Sequence, residues 1–245
     1  MLSVNCPLCG SSAFGAMRVV SERNGETIVR CSCGMVYKRG VDIGKKWRCY
    51  KSPKVWDTDA FARRYGRVAR YLQTRVSAPE KILDIGCATG AFSAQLHRLW
   101  PDAKIDGVEG SPKVAEYCAK NNGFINLHRS TFEAWESTEG YDLVVCMGVD
   151  YLFPDHAEGM NKIEKALKEG GTLYFERNVF MGMKGFMGKP IDSDEVLFWE
   201  NPLITTWFTE EQAECMISDK YLIIDRSAYE EGGSRHVGWL CKKIS

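Results

Sequence analysis

A short apolar run passes through Asp84 into a loop of small residues in Lys81-Ile-Leu-Asp-Ile-Gly-Cys-Ala-Thr-Gly90, and Glu109 closes a second apolar run within Gly107-Val-Glu-Gly110. A strand that turns tightly into a helix over backbone without bulky side chains lets main-chain amides approach a ligand, as in α/β proteins that cradle a nucleoside-containing cofactor. Glu109 follows the loop at about the 20-residue offset of a ribose-binding acid, and a carboxylate's paired acceptors suit two neighbouring hydroxyls. The dinucleotide fingerprint Gly-x-Gly-x-x-Gly is not matched by Gly86-Cys-Ala-Thr-Gly90-Ala91. Gly86 and Gly90 alone would mark only a tight strand-to-helix turn; the acids on either side favour a cofactor.

A second group able to do chemistry is sulfur. Cys6-Pro-Leu-Cys9-Gly10 and Cys31-Ser-Cys33-Gly34 form two knuckles separated by a β-like segment. Four thiolates satisfy tetrahedral zinc, and a glycine after each knuckle lets the chain curl so that amides point at sulfur. The arrangement resembles a zinc ribbon. Its second knuckle is one residue shorter than the usual Cys-x2-Cys, so Cys49 is an alternative ligand to the preferred set Cys6, Cys9, Cys31 and Cys33. A site closed by four cysteines leaves no position for a reactant, which makes the metal structural.

The elements that must position these groups alternate from Lys81 onward. Strands are expected at 81–85, 104–109, 124–128, 141–147 and 172–177, with helical patterns at 91–99, 112–121 and 156–168. This order implies an α/β fold with a parallel sheet covered on both faces. A helix near 209–218 then leads to Tyr221-Leu-Ile-Ile224, and Gly232-Gly233 joins that run to His236-Val-Gly-Trp-Leu-Cys241, an antiparallel hairpin. Ahead of the sheet, Phe61, Tyr65, Val68, Ala69 and Leu72 recur at helical spacing after Asp57, the expected cap. The expected domains are a zinc ribbon over 1–45, a connector and helix over 46–80, and an α/β domain over 81–245.

The loop also fits the pattern Asp-x-Gly-x-Gly-x-Gly with Ala88 in place of the middle glycine. Through it the chain resembles the class I S-adenosylmethionine-dependent methyltransferases, over residues 57–245 in element order and including the terminal hairpin. The resemblance implies a doubly wound, mostly parallel seven-stranded sheet. It implies that Asp84, Gly86, Ala88 and Gly90 line the methionine end of the cofactor, with Asp84 helping to hold its ammonium group, and that Glu109 accepts the ribose hydroxyls. Ser130-Thr-Phe132 falls where the family places residues beside adenine, so Phe132 is expected to pack on the base and Thr131 to contact it. Met147, ending the fourth strand, joins the cofactor set, and Leu167-Lys-Glu-Gly-Gly171 is the glycine turn before the fifth.

Methyl transfer from a sulfonium is an in-line displacement that needs alignment and, for an oxygen or carbon nucleophile, a base. The acceptor belongs at the carboxyl ends of strands four and five, where Asp150, Tyr151, His156, Glu176, Arg177 and Asn178 stand. Related bacterial enzymes often carry Glu-His after strand four; here Asp150-Tyr151 takes that place. Asp150, Tyr151 and His156 are the catalytic candidates, although a histidine in a helix's first turn is more often a solvated surface group, and His236 ranks lower. Residues 179–207, rich in Met, Phe, Trp and Gly, read as a lid, the alternatives being a flap packed on the ribbon or a dimer contact.

At 245 residues and 44% hydrophobic composition the chain can bury a substantial core, and no apolar run approaches the ~20 residues of a membrane helix. A cytoplasmic protein without a membrane partner is expected, with its scattered cysteines reduced; the oligomeric state is open. The zero net charge hides an asymmetry, because residues 1–75 carry 15 Lys and Arg against 5 Asp and Glu. That basic front either meets an anionic partner such as nucleic acid or docks on the acidic remainder. The leading reading is a small-molecule methyltransferase acting on a sugar, nucleotide-sugar or secondary metabolite. The further carboxyl-terminal domain of two-domain sugar C-methyltransferases is not expected here, and oxygen or nitrogen is the expected methylated atom. An RNA methyltransferase gripping phosphate with the ribbon is the second reading, and a non-catalytic cofactor-binding scaffold the third.

Overall fold

The computed structural model describes residues 6, 8–11, 17–23, 25–39, 52–136, 140–153, 155–179, 206–231 and 234–244. In chain order these form β1 Met17–Arg23, β2 Glu26–Cys31, β3 Val36–Arg39, α1 Asp59–Gln73, β4 Lys81–Ile85, α2 Ala91–Leu99, β5 Lys104–Val108, α3 Pro112–Asn121, β6 Ile125–His128, β7 Tyr141–Met147, α4 His156–Ala166, β8 Leu167–Val179, β9 Thr206–Trp207, α5 Glu210–Ser218, β10 Tyr221–Glu231 and β11 Ser234–Lys243. Short 3-10 turns occupy Pro53–Val55 and Asp150–Leu152.

The larger sheet has seven strands in the order β10-β11-β8-β7-β4-β5-β6. β4 lies parallel to β5 and to β7, β5 lies parallel to β6, and β10 and β11 close the order as an antiparallel hairpin. With helices between its parallel strands, this is the expected doubly wound, mostly parallel fold. Central strands covered on both faces read as unbroken apolar runs, and Leu143-Val-Val-Cys146 on β7 is wholly buried, as are Ile82 and Leu83 on β4. A second, four-stranded sheet is ordered β1-β2-β3-β9, in which Thr206 and Trp207 pair antiparallel with Tyr37 and Val36.

By compactness the chain divides into one unit of Met1–Ile43, Gly148–Lys162 and Phe175–Ile244, and another built from Gly44–Met147 and Ile163–Tyr174. Several boundaries differ from the sequence pattern. The cap of α1 is Thr58, whose hydroxyl accepts from the Phe61 N–H at 3.4 Å; Asp57 sits one residue too early to reach that amide. β8 starts at Leu167, so Leu167–Gly171 is bounded within a strand, and Gly170 takes its left-handed φ of 69° inside it. β10 runs on to Glu231 because β11 pairs with it along its whole length, a contact invisible in local propensity. Of the expected insertion at 179–207, Val179 and β9 are described; Cys49 and the expected lid over 180–205 lie outside the described residues.

Two glycines in the second unit are required by packing. A Cβ on Gly90 would lie 2.7 Å from Asn122 Nδ2, 2.8 Å from Ile125 Cδ1 and 2.9 Å from Cys118 Sγ. One on Gly107 would lie 2.8 Å from Cys87 Sγ and 2.9 Å from Ile125 Cγ2. Cys87, Cys118 and Ile125 form a small buried cluster with Leu127 against it, so the loop after β4 is seated on α3, β5 and β6. Overpacking such a core costs about 1–3 kcal/mol. Gly107→Ala should therefore lower unfolding stability in urea by that amount, with partial recovery in a Cys87→Ala background. Gly123→Ala, whose new methyl meets nothing within 4 Å, should change stability by no more than about 0.5 kcal/mol.

Candidate functional site

The loop between β4 and α2 is a chain of left-handed residues: φ is 68° at Gly86, 49° at Ala88 and 78° at Gly90, the last serving as the cap of α2. For an L-residue this conformation costs roughly 1–2 kcal/mol, so Ala88 must be held there. The holding group is Glu109. Its Oε2 accepts the Ala88 N–H at 3.1 Å and its Oε1 accepts the Ser111 N–H at 2.6 Å. The Gly86 and Cys87 amides donate to the Val108 carbonyl at 2.8 and 3.1 Å, tying the loop to β5 by main chain as well. Burial pushes the Glu109 carboxyl up, and the amides of Ser111, Ala88 and Gly110 pull against it. Each carboxylate oxygen retains a second acceptor direction, so a diol can still be taken.

Asp84 is buried within β4 and accepts the Ser93 hydroxyl at 2.5 Å. Burial pushes its carboxyl up to about 7; the Ser93 bond opposes this and the neighbouring Glu109 charge adds to it. A cation placed here would relieve that repulsion and favour the ionised form. Asp84, Gly86, Ala88, Gly90 and Glu109, named from spacing, are thus brought together. Ser93 and Ser111 were not singled out; the only signal for either is a serine opening a helix after the loop or after the acid. On the turn following β6, Phe132 is buried with its ring stacked on Trp135 at 5.8 Å, and Thr131 Oγ1 accepts the Ala134 N–H at 3.4 Å. Met147 is half-buried at the end of β7.

In the other unit, the residues after β7 meet the end of β8. Asp150, wholly buried, places Oδ2 at 3.0 Å from Arg177 Nη1 and at 3.6 Å from His156 Nε2. Burial works to raise this carboxyl, but Arg177 and His156 outweigh it and hold it below the usual carboxylate range. An aspartate so paired is a poor proton acceptor. His156 is not the solvated group expected of a helix's first turn: it is 2% exposed, within 3.0 Å of Thr206 Oγ1, with the rings of Phe153 and Phe208 at 6.2 and 5.4 Å. The Arg177 guanidinium lies over Phe208 at 4.2 Å. Tyr151 is half-buried in the turn beside Asp150.

The four amino-terminal cysteines also converge. Cys6 and Cys33 sulfurs are 3.6 Å apart, as are those of Cys9 and Cys31, and all four lie within 4.8 Å of one another. Tetrahedral zinc with bonds of about 2.3 Å has sulfur–sulfur edges of about 3.8 Å, so the donors fit the ion. Gly10 and Gly34, at φ of 67° and 89°, donate their amides to the Cys6 and Cys31 carbonyls at 2.9 Å, closing each knuckle. The short second knuckle completes the set with Cys33.

The chain has relatives of known name. It is 31% identical over 123 residues to a malonyl-[acyl-carrier protein] O-methyltransferase of Acetivibrio thermocellus, covering 48% of this chain and 44% of that one. It is 30% identical over 124 residues to a trans-aconitate 2-methyltransferase of Rhodococcus jostii, covering 49% and 48%. It therefore spans a little under half the length of these curated relatives. In fold it is similar to the N-methyltransferase NodS of Bradyrhizobium japonicum, solved with S-adenosyl-L-homocysteine, with a TM-score of 0.61 and 16% identity over 82% of this chain and 97% of that one. A family model described as a methyltransferase domain matches residues 77–221, more than half of the sequence, and the chain accordingly belongs to the methyltransferase-domain family.

Proposed function

We propose that this chain transfers the methyl group of S-adenosylmethionine to an oxygen or nitrogen atom of a small-molecule acceptor, a sugar, nucleotide-sugar or secondary metabolite. The observation that carries the reading is the cradle after β4, in which Glu109 holds Ala88 in a left-handed conformation beside the buried Asp84. The solved relative that contains S-adenosyl-L-homocysteine supports the cofactor, and relatives named for O- and N-methyl transfer support the choice of atom. When bound, S-adenosylmethionine supplies an electrophilic methyl on a sulfonium. Asp84 would face the ammonium end, Glu109 would accept the ribose hydroxyls, and the glycine backbone of the loop would lie against the methionine chain, with Thr131, Phe132 and Met147 toward the adenine side. Exclusion of water and alignment are the protein's main contributions to such a displacement.

Asp84 gives this a pH signature. With its carboxyl at about 7, binding of an ammonium below that pH must expel a proton, and affinity should fall about tenfold per pH unit. Calorimetry with S-adenosylhomocysteine should show binding tightening up to about pH 7 and levelling above it. Asp84→Asn should bind weakly at pH 8 and lose the slope; no heat at any pH would sink the cofactor assignment. In the ligand-free protein, a carboxyl raised from its ordinary 3.8 to about 7 favours folding at low pH. That contribution is lost progressively as pH rises from about 4 and is gone once it passes about 7, so Tm should fall across the interval.

The acceptor class is read by incubating the protein and labelled S-adenosylmethionine with a cell lysate split into small-molecule, RNA and protein fractions. Label is expected in the small molecules. Label in RNA or protein instead would overturn the acceptor reading, and none anywhere, with cofactor binding intact, would make the chain a binding scaffold.

The four cysteines are proposed to hold one structural zinc ion, which folds the amino-terminal sheet and takes no part in chemistry. Protein purified without chelator should contain one zinc per chain, and its removal should lower Tm. Well under one zinc per chain defeats the assignment.

A further inference from the structure

Asp84, on β4, takes a hydrogen bond from beyond its own loop. Ser93 is the third residue of α2, 0% exposed, and its hydroxyl donates to Asp84 Oδ2 at 2.5 Å. The helix itself has no need of a hydroxyl at this position. Gly90 is the cap of α2, its carbonyl takes the Ala94 N–H at 2.9 Å, and alanine is the better helix former at a buried interior site. A buried hydroxyl is costly unless something receives it, and here the receiver is the carboxyl of Asp84.

The surroundings of Asp84 otherwise oppose a charge. In register beside it stand Gly107 on β5 and Val145 on β7, neither of which can carry one. The titratable groups about it are Glu109, just beyond β5, the thiol of Cys87 on the loop and the thiol of Cys118 on α3. The Cys118 thiol and burial push Cys87 well above its ordinary value, with the Asp84 charge adding to them, while the Cys87 thiol holds Cys118 below its own. Burial and Glu109 work against an ionised Asp84, and the Ser93 bond works for it.

We propose that Ser93 is a specificity-determining positioning residue: by holding Oδ2 of Asp84 it sets the carboxylate for a ligand's ammonium, and so makes the cradle select adenosyl thioethers that carry an amino-acid end. This rests on the S-adenosylmethionine reading above and deepens it. A carboxylate has two oxygens, and with Oδ2 engaged from α2 the ammonium falls to Oδ1. A donor on the carboxylate favours its ionised form, so the ammonium is met without a proton first having to leave. The ribose end is served differently. Ser111, also a buried serine, holds Glu109 through its backbone N–H, which any residue but proline supplies, whereas Ser93 acts through its hydroxyl. Replacing the Ser93 hydroxyl therefore touches the amino-acid end alone.

Calorimetry on the full chain compares S-adenosylhomocysteine with methylthioadenosine, which has the same nucleoside and thioether but no amino acid. Ser93→Ala should weaken the first about tenfold at neutral pH and leave the second within about twofold. Ser93→Cys, with a weak donor in the same place, should fall between. Glu109→Gln, at the ribose, should weaken both alike. The difference between the two ligands' pH profiles removes what Glu109 contributes to both. That difference should level off near pH 7 in the wild type and at higher pH in Ser93→Ala, because loss of a bond to the ionised form raises the carboxyl further. Carbon NMR of the Asp84 carboxyl in the ligand-free proteins should show the same upward displacement, a readout that needs no cofactor. An Asp84 titration unmoved in Ser93→Ala, or equal affinity changes for the two ligands, overturns the proposal. Where Ser93→Ala does not fold, Ser93→Cys decides by the same two readouts. If the wild type binds neither compound, the cofactor reading has failed and this one falls with it; binding of both, in a ratio that Ser93→Ala leaves unchanged, sinks the role of Ser93 alone.

Discussion

The carboxylate of Glu109, gripped by the amides of Ala88 and Ser111, is the constraint on which the loop after β4 and the start of α3 are organised. It is a polar group buried at the carboxyl end of a parallel strand, where lack of hydrogen-bond partners would be costly. Main-chain donors from two sides offset that cost, and in accepting them Glu109 sets the conformation of the loop after β4 and the entry to α3 together. Ala88 can stay left-handed only because its amide has this partner, and Gly90 can cap α2 only because nothing on it collides with Asn122, Ile125 and Cys118. One buried carboxyl group thus holds a small-residue loop in a single cradle conformation. Preorganisation of this kind spares a ligand the ordering cost it would otherwise bear.

The ends of β7 and β8 solve a different electrostatic problem. Two buried carboxylates, Asp150 and Glu176, lie close in the chain order of these ends, and they are partnered in unlike ways. Asp150 faces a guanidinium and is held firmly ionised, which suits a structural role: removing one partner of such a pair leaves an unneutralised buried charge. Glu176 faces a phenol and an imidazole. Two like carboxylates are thus met by a guanidinium on one side of β8 and by aromatic side chains on the other. Strand alternation is what keeps the two apart.

The fold was largely legible from the chain. Apolar runs ending in small residues marked β4, β5 and β7 nearly to the residue, because such strands are buried on both faces and need no partner to declare themselves. Asp84, Glu109 and the two cysteine knuckles were equally plain, since each group is defined by spacing within one turn or one strand-to-helix unit. The reasons assigned to particular residues were less secure. Gly90, expected to admit a ligand, is demanded by side chains from α3 and β6. His156, taken for a surface histidine by its place in a helix, is buried because Phe208 and Thr206, some fifty positions later, pack upon it.

By itself, then, the sequence determined the α/β succession, the cradle after β4, the acid that closes β5 and the four-sulfur cluster, each declared by residue types at short spacings even where, as between the two knuckles or between Glu109 and Ala88, the groups that meet are more than twenty residues apart. Tertiary structure alone decided which acids are paired with cations, which histidine is enclosed, that Thr206 and Trp207 extend the amino-terminal sheet, and that Glu176 meets Tyr229 and His236. The physical reason is that a side chain's proton affinity and reach depend on what surrounds it. At the carboxyl ends of β7 and β8 those surroundings come from strands paired across more than fifty residues, and no local pattern records them.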